Sequence, residues 1–520
     1  MTMVLRAAAA ALCLASPAAA GPVTTIALSD RAAPGSTTGP SGDIQFGGVQ
    51  LNEAGQVLYL AYPGPPGKRT AVLERYTPGV GVERLATSGD AAPGVPGRLI
   101  RLSATTAGMR LQQDGDATFY AQLNVPAFNQ PSLNAFYEAT GTGAGLAVAP
   151  VAVESSFQDS PLVDTLDDGH PASPWIGIQD IPEVSESGQL LDVPVGAFGL
   201  GGLNPRPLGV WQSRTFTTLL APGDVLRDGD GLPLKTFAGA DLTVAAIAEG
   251  PEQINADGTI VAQVTTNDAS RGRALLRLAP GEPVEVLGVG RPGDIGAFDL
   301  NDAGEVAWTQ GVDTDGDSFA DAFRLRRTEG AALVETPIAR RAVGTPIDLT
   351  EAGSVLLAGG RTFEIDGQVF AASDDYRLFT IGGFRMNAGG DVAFNYTGQL
   401  FADPGNLLRS GIGLLRSGAF EFLLEVGDFL EVAPGDTRQI SQLFVSDFAR
   451  VRRTDSPFFN DAGQIAFDAI FEPVTPGGPV TSGVFLYDTG MPPAPVPLPA
   501  GEWLLLTGLG ALALRRRISG

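Results

Sequence analysis

The chain has 520 residues, 44% apolar and 18% charged, with 68 glycines and 39 prolines. That is enough for a large core, too apolar for disorder, and punctuated for many short strands joined by tight turns. The formal net charge of -24 repels phosphates and argues against nucleic acid as a partner, while the single Cys13, single His170 and two lysines (Lys68, Lys235) leave almost no room for a zinc site, a His-paired nucleophile or disulfides.

Residues 1–20 read MTMVLRAAAAALCLASPAAA. Arg6 gives a positive start, Ala7 to Leu14 a short apolar run, and Ala18 to Ala20 a small-residue cleavage site. This is the pattern of a secretory signal peptide cut between Ala20 and Gly21, too short for a spanning helix. The expected first partner is therefore the export machinery.

From residue 23 to 488 one eight-residue phrase recurs. NDAGEVAW starts at Asn301 and NDAGQIAF at Asn460. Near copies start at Asn52, Gln112, Ser185, Asn255, Thr350 and Asn387, making eight. Asn, Ser or Thr at the first position can hydrogen-bond its own turn, and Gly at the fourth supplies the left-handed conformation that closes it. An alternating strand follows, as in Ile465 and Phe467, or Val306 and Trp308. A strand pair follows most copies, for example TAVLERYTPGVGVERLATSGD from Thr70, and then an acidic turn such as Gly89-Asp90 or Pro292-Gly293-Asp294. The turn glycines are Gly55, Gly115, Gly188, Gly258, Gly304, Gly353, Gly390 and Gly463, at intervals of 60, 73, 70, 46, 49, 37 and 73. A propeller blade takes about 40–50 residues, so the spacing fits four-stranded blades with insertions, not a solenoid of fixed step.

The last unit ends at SGVFLYDTG without its third strand, and the chain opens at Val23 with VTTIALSDRAAPG, which matches the third strand plus acidic turn. The expectation is an all-β fold, a β-propeller of seven or eight blades whose N-terminal strand completes the last blade and removes the open edges.

One loop inside the repeats has metal-ligand spacing. DTDGDSFAD places Asp313, Asp315, Asp317 and Asp321 at positions one, three, five and nine, as in a calcium loop. Glycine falls at position four, not six, and position twelve is Arg324 rather than a bidentate glutamate. Calcium is the candidate cofactor, against the plainer reading of a solvated acidic turn. RDGDG at Arg227 reads as a loop, and His170 as a loop residue.

A Pro-rich linker and motif (489–500) ends in Val496, Pro497, Leu498, Pro499 and Ala500, and is followed by an apolar run from Trp503 to Leu514 and by Arg515, Arg516 and Arg517. The run is shorter than the roughly 20 residues that span a bilayer comfortably. Residues 501–520 are expected to form a short apolar anchor helix with a cytoplasmic basic tail.

This tail closely resembles the VPLPA variant of the PEP-CTERM sorting signal of Gram-negative bacteria. The resemblance implies export, retention through the tail and processing by an exosortase-type membrane enzyme; many such proteins associate with exopolysaccharide or the cell surface. Glu502 departs from the pattern. The repeat resembles a family of exported bacterial tandem-repeat proteins, marked by an Asn-x-x-Gly-x-x-Ala-Phe strand and a Gly-Asp-x-x-Pro-Gly turn; that family carries no established activity. The resulting reading is a non-catalytic structural or interaction protein of the cell envelope, outer surface or extracellular matrix, with matrix polysaccharide or another surface protein as ligand. The alternative is a propeller-fold enzyme acting on polysaccharide, which needs a close carboxylate pair.

Overall fold

The computed structural model describes residues 23–31, 43–44, 48–64, 69–102, 109–124, 133–153, 183–184, 190–192, 207–212, 215–268, 271–315, 320–329, 332–338, 347–350, 352–359, 362–366, 368–371, 376–400, 408–445, 458–473, 475 and 478–490. Among them the only helical element is the 3-10 turn Gly143–Gly145; every other element is a strand. The strands form eight antiparallel sheets in chain order, so the fold is an eight-bladed β-propeller, with one phrase copy per blade.

Blade 5 shows the plan. Ile295–Leu300 runs inward-most, the Asn301 turn leads to Val306–Val312, and Ala322–Glu329 and Ala332–Pro337 complete the sheet towards solvent. Blades 4, 6 and 7 repeat it from Val244–Ile254, Ile347–Leu349 and Tyr376–Met386. In blades 1 and 2 the inner strand is broken into two pieces, both paired to the second strand. Blade 3 begins at Glu183–Val184, and its Ser185 turn lies outside the described residues.

Blade 8 settles how the ring closes. Gln464–Phe471 pairs with Thr481–Asp488, and Thr481–Asp488 pairs with Val23–Leu28 from the start of the chain. The inner strand of this sheet, Asp436–Phe444, forms a hairpin with one extra strand, Phe429–Ala433. Thr25 Oγ1 donates to the Val432 carbonyl at 2.9 Å, and buried Arg438 donates to both oxygens of Asp30. Arg31 also pairs with Asp436. The N-terminal strand is thus clasped by backbone, hydroxyl and charge together.

The apolar core lies between blades, not within one central mass. Leu58, Leu73, Phe119 and Tyr137 fill the seam of blades 1 and 2, and Val261, Leu275, Val306 and Trp308 that of blades 4 and 5. Ile26, Val57, Tyr59, Ala466 and Val484 fill the closing seam of blades 8 and 1. A sheet sandwiched between two others buries both faces. The second strands therefore alternate in size instead of polarity: Val306, Ala307 and Trp308 are all fully buried, as are Ile465, Ala466 and Phe467. The large residue meets one neighbouring blade and alanine lets the other approach.

Strand direction fixes two faces. The turns between first and second strands lie on one face. The connections from each outer strand to the next inner strand lie on the opposite one, beside the loops between second and third strands. Val23 pairs opposite Tyr487, and the Thr489 N–H donates to the Gly463 carbonyl at 3.0 Å. Both ends of the ring therefore leave from the first face, at blade 8.

Candidate functional site: a turn belt and an opposite loop face

Each phrase copy within the described residues makes the same tight hairpin. In blade 5 the Asn301 N–H donates to the Glu305 carbonyl and the Gly304 N–H to the Asn301 carbonyl, a three-residue loop ending in left-handed glycine (φ 77°). Asn301 Oδ1 accepts the Glu305 N–H at 2.8 Å, and Asn460, Asn255, Asn52 and Asn387 do likewise in their turns. Thr350 does so through Oγ1.

The asparagine then does something threonine cannot. Its Nδ2 donates to the first-position carbonyl of the next blade: Asn460 to Asn52 at 3.1 Å, Asn52 to Gln112 at 3.0 Å, Asn255 to Asn301 at 3.0 Å and Asn301 to Thr350 at 3.1 Å. Second positions link as well: Asp461 N–H to Glu53, Glu53 N–H to Gln113, Ala256 N–H to Asp302 and Ala388 N–H to Asp461. The repeated phrase is thus a belt that couples neighbouring blades around one face. Glycine is required there for φ; at Gly55 a Cβ would also stand 2.8 Å from Gln464 Oε1, the end of a side chain from the preceding blade.

Asn301→Asp keeps the acceptor for its own turn but sets a buried carboxylate against the Thr350 carbonyl. A loss of about 1–3 kcal/mol is expected, and a smaller loss for Asn301→Ser, which removes only the donor. Urea midpoints of the two variants check this; equal midpoints for Asn301→Asp and the native chain would show that the belt contributes nothing.

Two further sets of inter-blade links escape the sequence pattern. Two residues before the turn, Asp299 Oδ2 accepts the Leu349 N–H of the next blade at 2.6 Å, and Asp348 Oδ2 the Met386 N–H at 2.6 Å. Gln50 Oε1 accepts the Leu111 N–H at 2.7 Å. On the third strands Arg75 donates to the Gly115 carbonyl of the next blade, and Arg277 Nη1 to the Gly304 carbonyl at 3.0 Å. A polar residue two places before the turn, present in every copy except that at Asn460, and an arginine in the third strand are the sequence signals that could have found them.

Several buried carboxylates are therefore engaged. Asp348 also takes Arg385 at 3.0 Å, Asp299 takes Gln253 at 3.0 Å, and Glu74 takes Tyr59 Oη at 3.0 Å and Arg84 at 2.9 Å. Glu138 is pushed above its ordinary value by burial, which a hydrogen bond from Gln112 opposes and Asp116 and Asp114 reinforce. Those two aspartates serve backbone, Asp116 accepting the Gly141 N–H and Asp114 the Asp116 N–H. The recurrent acidic turns are caps: Asp224, Asp294 and Asp428 each accept the N–H three residues earlier, at 2.7, 2.8 and 2.8 Å.

On the loop face, blade 5 brings Asp313, Asp315 and Asp321 together, with one carboxylate oxygen from each lying within 4.8 Å of the others. All three are exposed, and Asp321 also accepts from the Thr314 hydroxyl and N–H. Asp317 lies outside the described residues, as do His170, the cleavage site at Ala20 and Gly21, Val496 to Ala500, Arg515 to Arg517 and the 501–520 anchor segment. Among the described residues no helix is long and apolar enough to cross a membrane.

Residues 366–495, essentially blades 7 and 8, match a family of unknown function, DUF7453. No curated protein matches the chain. Among solved structures, the β-propeller domain of the trilobed protease from Pyrococcus furiosus, described as having an open velcro topology, is 10% identical with a TM-score of 0.37, covering 73% of this chain and 96% of its own. The polysaccharide lyase Uly1 is 9% identical with a TM-score of 0.32, covering 85% of this chain and 90% of its own. The six-bladed fungal lectin from Aleuria aurantia is 12% identical with a TM-score of 0.25, covering 57% of this chain and 92% of its own. The eight-blade assignment rests on the strand pairings described above.

Proposed function

We propose that this is a non-catalytic structural and interaction protein of the cell surface or extracellular matrix, exported through residues 1–20 and sorted through Val496–Ala500 and Arg515–Arg517. An exosortase-type enzyme processes its tail. The observation that supports this reading is the use of its acidic side chains. They cap turns and tie blades at evenly repeated places, and the convergent set at Asp313, Asp315 and Asp321 is exposed. That set is the point on the loop face where calcium would bind.

Replacing Val496–Ala500 and fractionating producing cells tests the sorting role: the variant is expected to stay unprocessed with the membrane, and unchanged processing and location overturn that role. Calorimetry of the full chain with calcium should give weak binding, with Kd about 10⁻⁴–10⁻³ M because position twelve lacks its glutamate, lost in Asp315→Asn. No heat returns the loop to a solvated turn. Depolymerisation of an extracellular polysaccharide by the purified chain would replace the non-catalytic reading with the enzyme.

A further inference from the structure

Most connections into an inner strand are brief: residues 291–294 suffice before blade 5, and 426–428 before the blade 8 hairpin. The connection into blade 4 runs from 221 to 243 and builds a small folded knob of its own. Leu226, Leu234 and Leu242 recur every eight residues and bond in a closed cycle. The Leu226 N–H donates to the Leu242 carbonyl at 2.9 Å, Leu234 to Leu226 at 2.9 Å and Leu242 to Leu234 at 2.8 Å. Leu226 and Leu242 are buried against the core of blades 3 and 4. Between them stand two tight turns of the belt type, Asp228 to Gly231 and Thr236 to Gly239, each with left-handed glycine (φ 77° and 85°).

This rigid platform presents apolar residues to water. Phe237 is 83% exposed and Leu232 62% exposed, the former the most exposed large hydrophobic side chain among the described residues. The Phe237 backbone is fixed by donating to Asp268 Oδ2 at 2.6 Å. Nothing in ring closure needs such a side chain there. An exposed aromatic side chain carried on a hydrogen-bonded turn is the usual form of an anchor that enters a partner's pocket.

The polar groups of the knob decide the partner's class. Asp228 Oδ1 accepts the Asp230 and Leu232 N–H groups, Thr236 Oγ1 accepts the Ala240 N–H, and Lys235 pairs with Asp241. They are exposed but bonded within the knob, whereas a sugar chain would require hydrogen-bonding groups left open around the ring. The segment 221–243 has four aspartates against Arg227 and Lys235, a net charge of -2 on a chain of -24. Like charge disfavours a second copy and favours a partner with a basic rim.

We infer that the 221–243 knob is a docking element whose Phe237 and Leu232 enter an apolar, basic-rimmed pocket on a different exported protein. This rests on the surface-interaction reading above and names its contact. The test places photoreactive p-benzoylphenylalanine at Phe237 of the full chain and irradiates intact producing cells. The expected result is one discrete, protease-sensitive adduct containing a second protein, lost with Leu232→Ser and absent when the probe replaces exposed Val80 of blade 1. With that protein purified, Phe237→Ser should weaken binding at least tenfold at an unchanged melting temperature. No adduct, equal adducts from positions 237 and 80, an adduct of two copies of this chain, or one removed by glycan depolymerisation each overturns the inference. If the chain still reaches the surface in those cases, the broader reading stands; loss of surface location is the failure of that reading instead.

Discussion

Deletion of residues 23–31 is expected to abolish the native monomer. Ile26 and Leu28 are fully buried in the seams beside blade 8 and contribute about 3–6 kcal/mol between them. That is comparable with the whole stability of many domains, about 5–15 kcal/mol. The deletion also bares the edge of Thr481–Asp488, whose residues are buried from Thr481 to Tyr487, and takes Asp30 from the buried Arg438 guanidinium. An uncovered apolar edge recruits other chains. Size-exclusion chromatography should show aggregates or oligomers, and circular dichroism a lost or greatly lowered transition. A synthetic peptide of residues 21–33 added in trans should restore the monomer. A deletion variant that stays monomeric and melts as the native chain does would mean that the ring is held without its clasp.

Arg75→Met is expected to cost about 3–5 kcal/mol, the range for removing one partner of a buried ion pair. The Arg75 side chain is 1% exposed, and its guanidinium joins three places at once: Glu83 Oε2 at 2.7 Å, the Gly141 carbonyl at 2.5 Å and the Gly115 carbonyl of the next turn. Methionine fills similar volume but leaves these acceptors facing one another. Arg75→Lys should recover only part of the loss, because an ammonium cannot reproduce the planar fork. Urea denaturation with an unchanged slope measures the cost. In the Arg75→Met background, Glu83→Gln should return some stability, and the double-mutant cycle gives the coupling. A midpoint for Arg75→Met equal to the native one would remove Arg75 from the inter-blade linkage.

The architecture was legible because the turn chemistry is local. A polar residue at position one, Asn in five copies, and Gly at position four serve the same hairpin in each described copy, so the phrase repeats wherever the ring needs that turn. The closing strand was legible for the same reason, since Val23–Leu28 carries the pattern that the last unit lacks. The second role of the asparagine was not legible, because Nδ2 bonds a residue 46 to 60 positions away along the chain, or 408 across the closure. Arg75, Asp299 and Asp348 stayed hidden because a lone polar residue in a strand ordinarily signals a solvated face. Within the 221–243 segment only Arg227 to Gly231 reads as a loop from the sequence, whereas three leucines at eight-residue spacing mark a folded unit. Asp313, Asp315 and Asp321 come together because one loop carries all three.

The exit of the chain at blade 8 has a mechanical consequence. Thr481–Asp488 is flanked by Gln464–Phe471 on one side and Val23–Leu28 on the other, antiparallel to both. A force applied beyond Gly490 and resisted from the loop face runs along this strand. It loads the hydrogen bonds of both flanking ladders in shear, all together. A force applied before Val23 and resisted at Gly490 instead peels the outer ladder one bond at a time. The molecule should therefore hold hard when pulled from its C-terminal side and unclasp at low force when its two ends are drawn apart, which makes blade 8 both its strongest mooring and its easiest point of release.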